Sequence, residues 1–199
     1  ADSLLHFDGQ RYRLGDFVYA LCGERGHIAS VAVRSNLEPE VVEALIALPR
    51  FEILSMQPRT DTLLEKMNLC SKGYNGEKIR ISGGGLRRVL THHEIKNIFL
   101  AGCVLDSDGC RAIAESPSIE SLWLMNCELR DEGFAELLKH PRVRSLEFSF
   151  CEVTPEKLGE LPGSTSIEKI VFVGTPVTKE FASFVGRSPS VSYLLVIHA

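Results

Sequence analysis

The side chains best able to hold a metal or attack a substrate in this chain are its cysteines and histidines, and their spacing favours neither use. The six cysteines are Cys22, Cys70, Cys103, Cys110, Cys127 and Cys151. No two form a Cys-x-x-Cys pair, the usual half of a zinc site. An even count could make a disulfide framework, but Cys103, Cys127 and Cys151 recur every 24 residues, which reads as a structural column of buried, reduced thiols. Of the histidines, only His92 and His93 cluster. Adjacent residues do not share a helix face, and no His-Glu-x-x-His is present, so the histidines are expected in solvated turns. Gly83-Gly84-Gly85 follows an apolar stretch but lacks the Gly-Lys-Ser/Thr of a phosphate loop and the Gly-x-Gly-x-x-Gly of a dinucleotide site; it is expected to be a tight turn. There is no Gly-x-Ser-x-Gly nucleophile element. Acidic residues gather at helix starts, where they complement the dipole. The expectation is a chain with no catalytic centre, no metal and no cofactor.

What the sequence does contain is a period. Ile95, Ile119, Val143, Ile167 and Val191 are successively 24 residues apart. Taking each as position one, position four reads Ile98, Leu122, Leu146, Ile170, Leu194, and position six reads Leu100, Leu124, Phe148, Phe172, Val196. Position nine reads Cys103, Cys127, Cys151, Thr175, and position eleven Leu105, Leu129, Val153, Val177. Positions four and six alternate as in a strand with one buried face. Later in each unit the apolar spacing becomes three (Cys110/Ile113, Phe134/Leu137, Leu158/Leu161, Ala182/Val185), which suits a helix lying across the sheet. Helix starts are legible at Thr154-Pro155-Glu156, Asp131-Glu132 and Thr178-Lys179-Glu180. Pro117, Pro141 and Pro189 mark the stops. A single unit cannot bury its apolar edge, and stacking would bury the columns as one core.

The pattern L-x-x-L-x-L-x-x-(N/C)-x-L resembles the leucine-rich-repeat family, in the 24-residue form of bacterial repeats with Cys or Asn at the turn; Leu129-Arg130-Asp131-Glu132-Gly133-Phe134 is of that kind. The resemblance implies an α/β solenoid, a curved right-handed βα superhelix with a parallel sheet on its concave face and short helices on its convex face. In such repeats the position-nine residue is structural, its thiol or amide bonding a neighbouring backbone group.

The match is strict from Ile95 onward and irregular over 27–94. Ile28, Val31, Val33 and Asn36 match positions one, four, six and nine, with Pro39, Val42 and Leu45 in the helix. Phe51, Leu54 and Met56 open another unit. Thr60–Leu69 is expected to be a helix and Ser71–Glu77 a turn, with Ile79, Ile81, Gly84 and Leu86 forming a further strand and turn and about seven or eight units in all. Residues 1–26 fall outside the repeat and read as an N-terminal cap: a hairpin turning at Asp8-Gly9, then a short helix over Asp16–Cys22. The domain division is therefore 1–26 and 27–199. The chain begins at Ala1 without a Met or a signal peptide, so its N-terminus reads as trimmed or processed. Tyr193–Ile197 is apolar on both faces, and such an edge strand is expected either to continue into further sequence or to pair with a second chain.

A net charge of −4 gives no electrostatic reason to bind nucleic acid or an anionic membrane, and no apolar run is long enough to span a bilayer. Reduced cysteines point to a cytoplasmic setting. The informative surface is the sheet face away from the helices, at positions three, five and seven. There Phe99, Trp123, Met125, Val171, Val173, Leu195 and Ile197, with Phe150 next in line, form an apolar band holding the chain's one tryptophan. Arg34, Glu52, Lys78 and Arg80 are expected to make the other end of that face polar. Large exposed apolar patches mark binding sites, and Trp is a frequent anchor. The leading expectation is a non-enzymatic scaffold binding a protein or peptide on this face. The alternatives are a homodimer through the C-terminal strand and the band, or the recognition domain of a larger adaptor or effector.

Overall fold

The computed structural model describes residues 4–7, 10–13, 18–22, 28–58, 74, 76–129, 131–151, 166–174 and 178–197. The fold is α/β. Its main sheet has seven parallel strands: β4 (Ile28–Val33), β5 (Ile53–Met56), β7 (Asn97–Ala101), β9 (Ser121–Met125), β11 (Ser145–Ser149), β12 (Lys169–Val173) and β13 (Tyr193–Ile197). From β7 to β13 each residue pairs with the one 24 further on, as in Leu100↔Leu124 and Leu122↔Leu146, so period and register coincide. A second parallel sheet, β6 (Ile79–Ile81), β8 (Cys103–Leu105) and β10 (Glu128–Leu129), follows the turn out of the first.

The alternation along each strand decides its faces. Ile98, Leu100, Leu122, Leu124, Leu146 and Phe148 are buried on the side where the helices pack. Each such side chain contributes about 1.5–3 kcal/mol on leaving water. Five helices cover that side among the described residues: α1 (Pro39–Ile46), α2 (Gly83–His92), α3 (Ser107–Ala114), α4 (Asp131–Leu138) and α5 (Lys179–Arg187). Three of these helices start with the same device. Ser82, Asp106 and Thr178 each accept a hydrogen bond from the amide three residues on (Gly85 3.1 Å, Gly109 2.7 Å, Phe181 3.3 Å), satisfying an amide that the first helical turn leaves unpaired.

Four expectations are corrected. Residues 79–92 are not a separate strand-and-turn of the main sheet. Ile79–Ile81 aligns with positions nine to eleven of the next unit (Ile79↔Cys103, Ile81↔Leu105), and β5 pairs directly with β7 (Leu54↔Ile98). The triple glycine is the first turn of α2. A serine cap and a helix-period apolar face (Leu86, Val89, Leu90, all buried) outweigh the glycines' poor helix propensity. Lys78 and Arg80 consequently sit beside or on the second sheet, and Lys78 pairs with Glu128. Val18–Cys22 is a strand, β3, running antiparallel to β4 at the edge of the main sheet, where a helix over Asp16–Cys22 was expected. The β-prone Val18 and Tyr19 prevail once an open sheet edge is available. The antiparallel pair β1 (Leu4–Phe7) and β2 (Gln10–Arg13) is of the hairpin kind expected; Asp8-Gly9 lies outside the described residues. So do Thr60–Leu69, most of Ser71–Glu77, and Thr154 through Leu161.

In α5 the buried pair is Phe181/Phe184, while Ala182 is exposed. The larger aromatic volume turns the helix by one residue, and Phe181 meets Phe172 edge-on at 4.6 Å.

His93 and His140 are buried, at 2% and 1% exposure, where solvated turns were expected. Each ring closes a helix end: His93 Nε2 lies 2.9 Å from the Leu45 carbonyl and His140 Nε2 lies 3.0 Å from that of Ser116. Both Nε2 atoms therefore donate. His140 Nδ1 accepts from the Arg142 and Val143 amides at 3.0 Å each. Desolvation by burial holds both imidazoles below the ordinary histidine pKa, more than offsetting the carbonyl bonds.

Two predictions follow from this packing. A histidine whose folded pKa is depressed gives the unfolded state more protons below about pH 6.5, so stability falls with falling pH there. Urea midpoints are expected to be constant from pH 8 to 7 and to drop between about pH 6.5 and 5; a profile flat through that window would contradict the buried neutral rings. Second, a β-carbon on Gly133 would lie 2.5 Å from Cys110 Sγ, whereas one on Gly84 would meet nothing within 4 Å. Gly133→Ala is expected to lower stability by about 1–3 kcal/mol and Gly84→Ala to raise it by up to about 1 kcal/mol, both read from thermal melts.

Candidate docking face on the main sheet

The face of the main sheet away from the helices carries positions three, five and seven. Register sets position five as the row Ser55, Phe99, Trp123, Glu147, Val171, Leu195. Position seven brings Ala101, Met125, Ser149, Val173 and Ile197 into a second row. Neighbouring strands lie about 4.8 Å apart, so side chains along each row touch or nearly touch.

Register brings the sequence-identified residues of positions five and seven together on one face, unequally exposed, with Phe150 just past the end of β11. Trp123 is 45% exposed, and Leu195 and Ile197 are also open. Phe99, Met125, Phe150 and Val173 are half-buried. Phe99 meets the indole edge-to-face, with ring centroids 5.6 Å apart and planes at 83°, a favoured aromatic geometry. Val171 is corrected: it is buried at 5% exposure, because a short β-branched side chain between Glu147 and Leu195 is shaded by longer neighbours. Ile53 and Tyr193, both at position three and exposed, were not among the band residues expected from the sequence. Between them that position reads Asn97, Ser121, Ser145 and Lys169, so no apolar column points to it.

Where β7, β9, β11 and β12 leave this face the chain takes a left-handed step at position eight. Gly102, Asn126, Phe150 and Gly174 have φ of 57°, 48°, 54° and 58°. The amide of each donates to a carbonyl of the next strand: Met125 at 2.8 Å, Ser149 at 2.8 Å, Val173 at 2.7 Å and Ile197 at 2.7 Å. Glycine and asparagine adopt this conformation readily; a phenylalanine there is strained. Phe150 holds that conformation with its side chain half-buried.

Just past the turn stand the thiols. Cys103 donates to the Ala101 carbonyl at 3.3 Å and lies 3.5 Å from that of Met56; Cys127 reaches Leu100 at 3.3 Å and Cys151 reaches Leu124 at 3.4 Å. In the first unit Asn36 Oδ1 accepts from the Arg80 amide at 2.8 Å. All three thiols are buried and free of disulfides. Burial pushes the Cys127 and Cys151 thiols well above the ordinary range and that of Cys110 to about 12; such groups stay protonated and unreactive.

No family model, curated protein or solved structure matches this chain. The reading of the face therefore rests on its own geometry. Elsewhere, a polar cleft at the strand starts is lined by Glu120, Arg144, Ser166, Glu168 and Ser192. Its charges alternate in sign along the rungs, with Arg144 3.7 Å from Glu168, so it presents no uncompensated charge to a ligand. No group of three or more metal-ligating side chains converges among the described residues. None of their helices is long and apolar enough to cross a membrane.

Because Phe150 is strained, Phe150→Asn is expected to leave the melting temperature unchanged or to raise stability by up to about 1 kcal/mol, although it removes a large apolar side chain. A loss of about 2 kcal/mol or more would show that the ring contributes more to packing than its backbone costs.

Proposed function

We propose that the chain is a leucine-rich-repeat solenoid serving as a non-enzymatic scaffold, with a protein or peptide docking on the exposed face of its parallel sheet. The repeat reading is supported by three devices recurring with one period: strand register, the left-handed step at position eight, and the thiol or amide ladder at position nine. The observation that carries the function is the exposure of Trp123 at 45% within a row of apolar neighbours, with Phe99 bracing its ring. A braced aromatic is a low-entropy anchor for a partner. The stable, protonated thiols favour a reducing, cytoplasm-like compartment.

A second reading has its own observation. Strand β13 is the edge of the main sheet, and Leu194, on the helix-side face, is 47% exposed. An edge with both faces apolar could pair with a second copy.

Light scattering over a wide concentration range separates the two, for the wild type and a Trp123→Ala, Leu195→Ser double variant. The expected result is a monomer throughout, with the double variant differing in stability by no more than about 1 kcal/mol, since both side chains are exposed. A dimer that the substitutions dissolve would place the band in a homodimer interface and remove the case for an external partner there.

A further inference from the structure

Resting on that docking reading, we infer that the face selects partners presenting a basic side chain, arginine or lysine, between apolar ones, with Glu147 and Trp123 forming the two walls of its seat. Glu147 stands at position five of β11, directly between Trp123 and Val171 in the row. Its flanking positions on its own strand are Ser145 and Ser149. It is half-buried, and it forms no ion pair or hydrogen bond with any described residue. The exposed acids nearby are treated differently: Glu168 pairs with Arg144, and Glu52 with Lys96.

The nearest cation on this face is Lys169, diagonal to Glu147 on β12. Its Nζ lies over the Tyr193 ring, 5.7 Å from the centroid, and makes no ion pair with Glu147. A partner docking over the row would remove this unpaired carboxylate from water, and a cation brought by that partner would offset the cost. One strand spacing away, about 4.8 Å, the indole of Trp123 is within reach of the same cation. Arginine suits both walls, bonding the carboxylate through its planar edge while stacking on the ring. Phe99 and Met125 on one side, and Leu195 and Ile197 on the other, would take the apolar residues flanking it. An acidic or wholly apolar partner would leave Glu147 buried without a counter-charge and is disfavoured.

The test is selection of random dodecapeptides displayed on phage against the full chain. The selected sequences are then synthesised and titrated by calorimetry against the wild type, Glu147→Gln and Trp123→Ala, each checked for folding by circular dichroism. Expected are sequences with Arg or Lys between apolar residues, whose affinity falls roughly tenfold with either substitution. Peptides that need Trp123 but lack a basic residue, or that bind Glu147→Gln as well as wild type, would overturn the charge selection and leave the docking face standing. Failure to obtain any peptide whose binding depends on Trp123 would overturn the docking face, and the charge selection with it.

Discussion

At four exits from the main sheet, after β7, β9, β11 and β12, the chain turns through a left-handed residue, and the amide there needs a partner as the strand ends. Unpaired, each would cost on the order of 1–3 kcal/mol. The fold meets this demand mostly between neighbours, although each thiol also lies near a carbonyl two residues back in its own unit. The position-eight amides donate forward to the next strand, as Asn126 does to Ser149, and the position-nine thiols donate back, as Cys127 does to Leu100. The turn needs φ near +50°, the thiol needs a protonated, enclosed site, and both need strands of equal length at a constant register. Stacking is thus a condition for satisfying the backbone, and the apolar columns are buried as a consequence of the same arrangement.

That requirement explains where the molecule tolerates variation. More chain lies between β5 and β7 than between later neighbouring strands, yet β5 pairs directly with β7 and β6 is in register with β8. Ser82 caps α2 as Asp106 caps α3, and Asn36 replaces a thiol by accepting from the Arg80 amide. Helix orientation is looser: α5 turns by one residue to bury Phe181 and Phe184, since nothing in the turn ladder constrains which helical residue faces inward. The buried histidines perform the same service at the other end of the helices, closing carbonyls of the neighbouring unit.

The sheet face left open by this scheme bears no backbone duty, so its side chains are free to specify a partner. They combine features that stability alone would not favour: a half-exposed tryptophan, a phenylalanine forced into a left-handed turn, and an unpaired carboxylate in an apolar row. Strained or poorly compensated groups persist where a function holds them, and their convergence on one face is why the proposed function is placed there.

Much of this was legible in the sequence, because a period of 24 fixes which residues share a column whatever their absolute position. The strand faces, the helix starts at Asp131 and Thr178 and the turn column could all be read from alternation and spacing, as could most members of the apolar band. What required the tertiary structure were the choices in which two local signals compete or a distant neighbour decides. Val18–Cys22 became a strand because an open sheet edge was available to it. The glycines of 83–85 entered a helix because Ser82 capped it and Leu86 had a core to enter. His93 and His140 were drawn into the interior by carbonyls of another unit, 48 and 24 residues away in the chain. Val171 was hidden by the length of its cross-strand neighbours, which no single strand can show. Periodicity is a local, additive property of the chain; burial and hydrogen-bond partnership belong to pairs of units, and they exist only once those units are stacked.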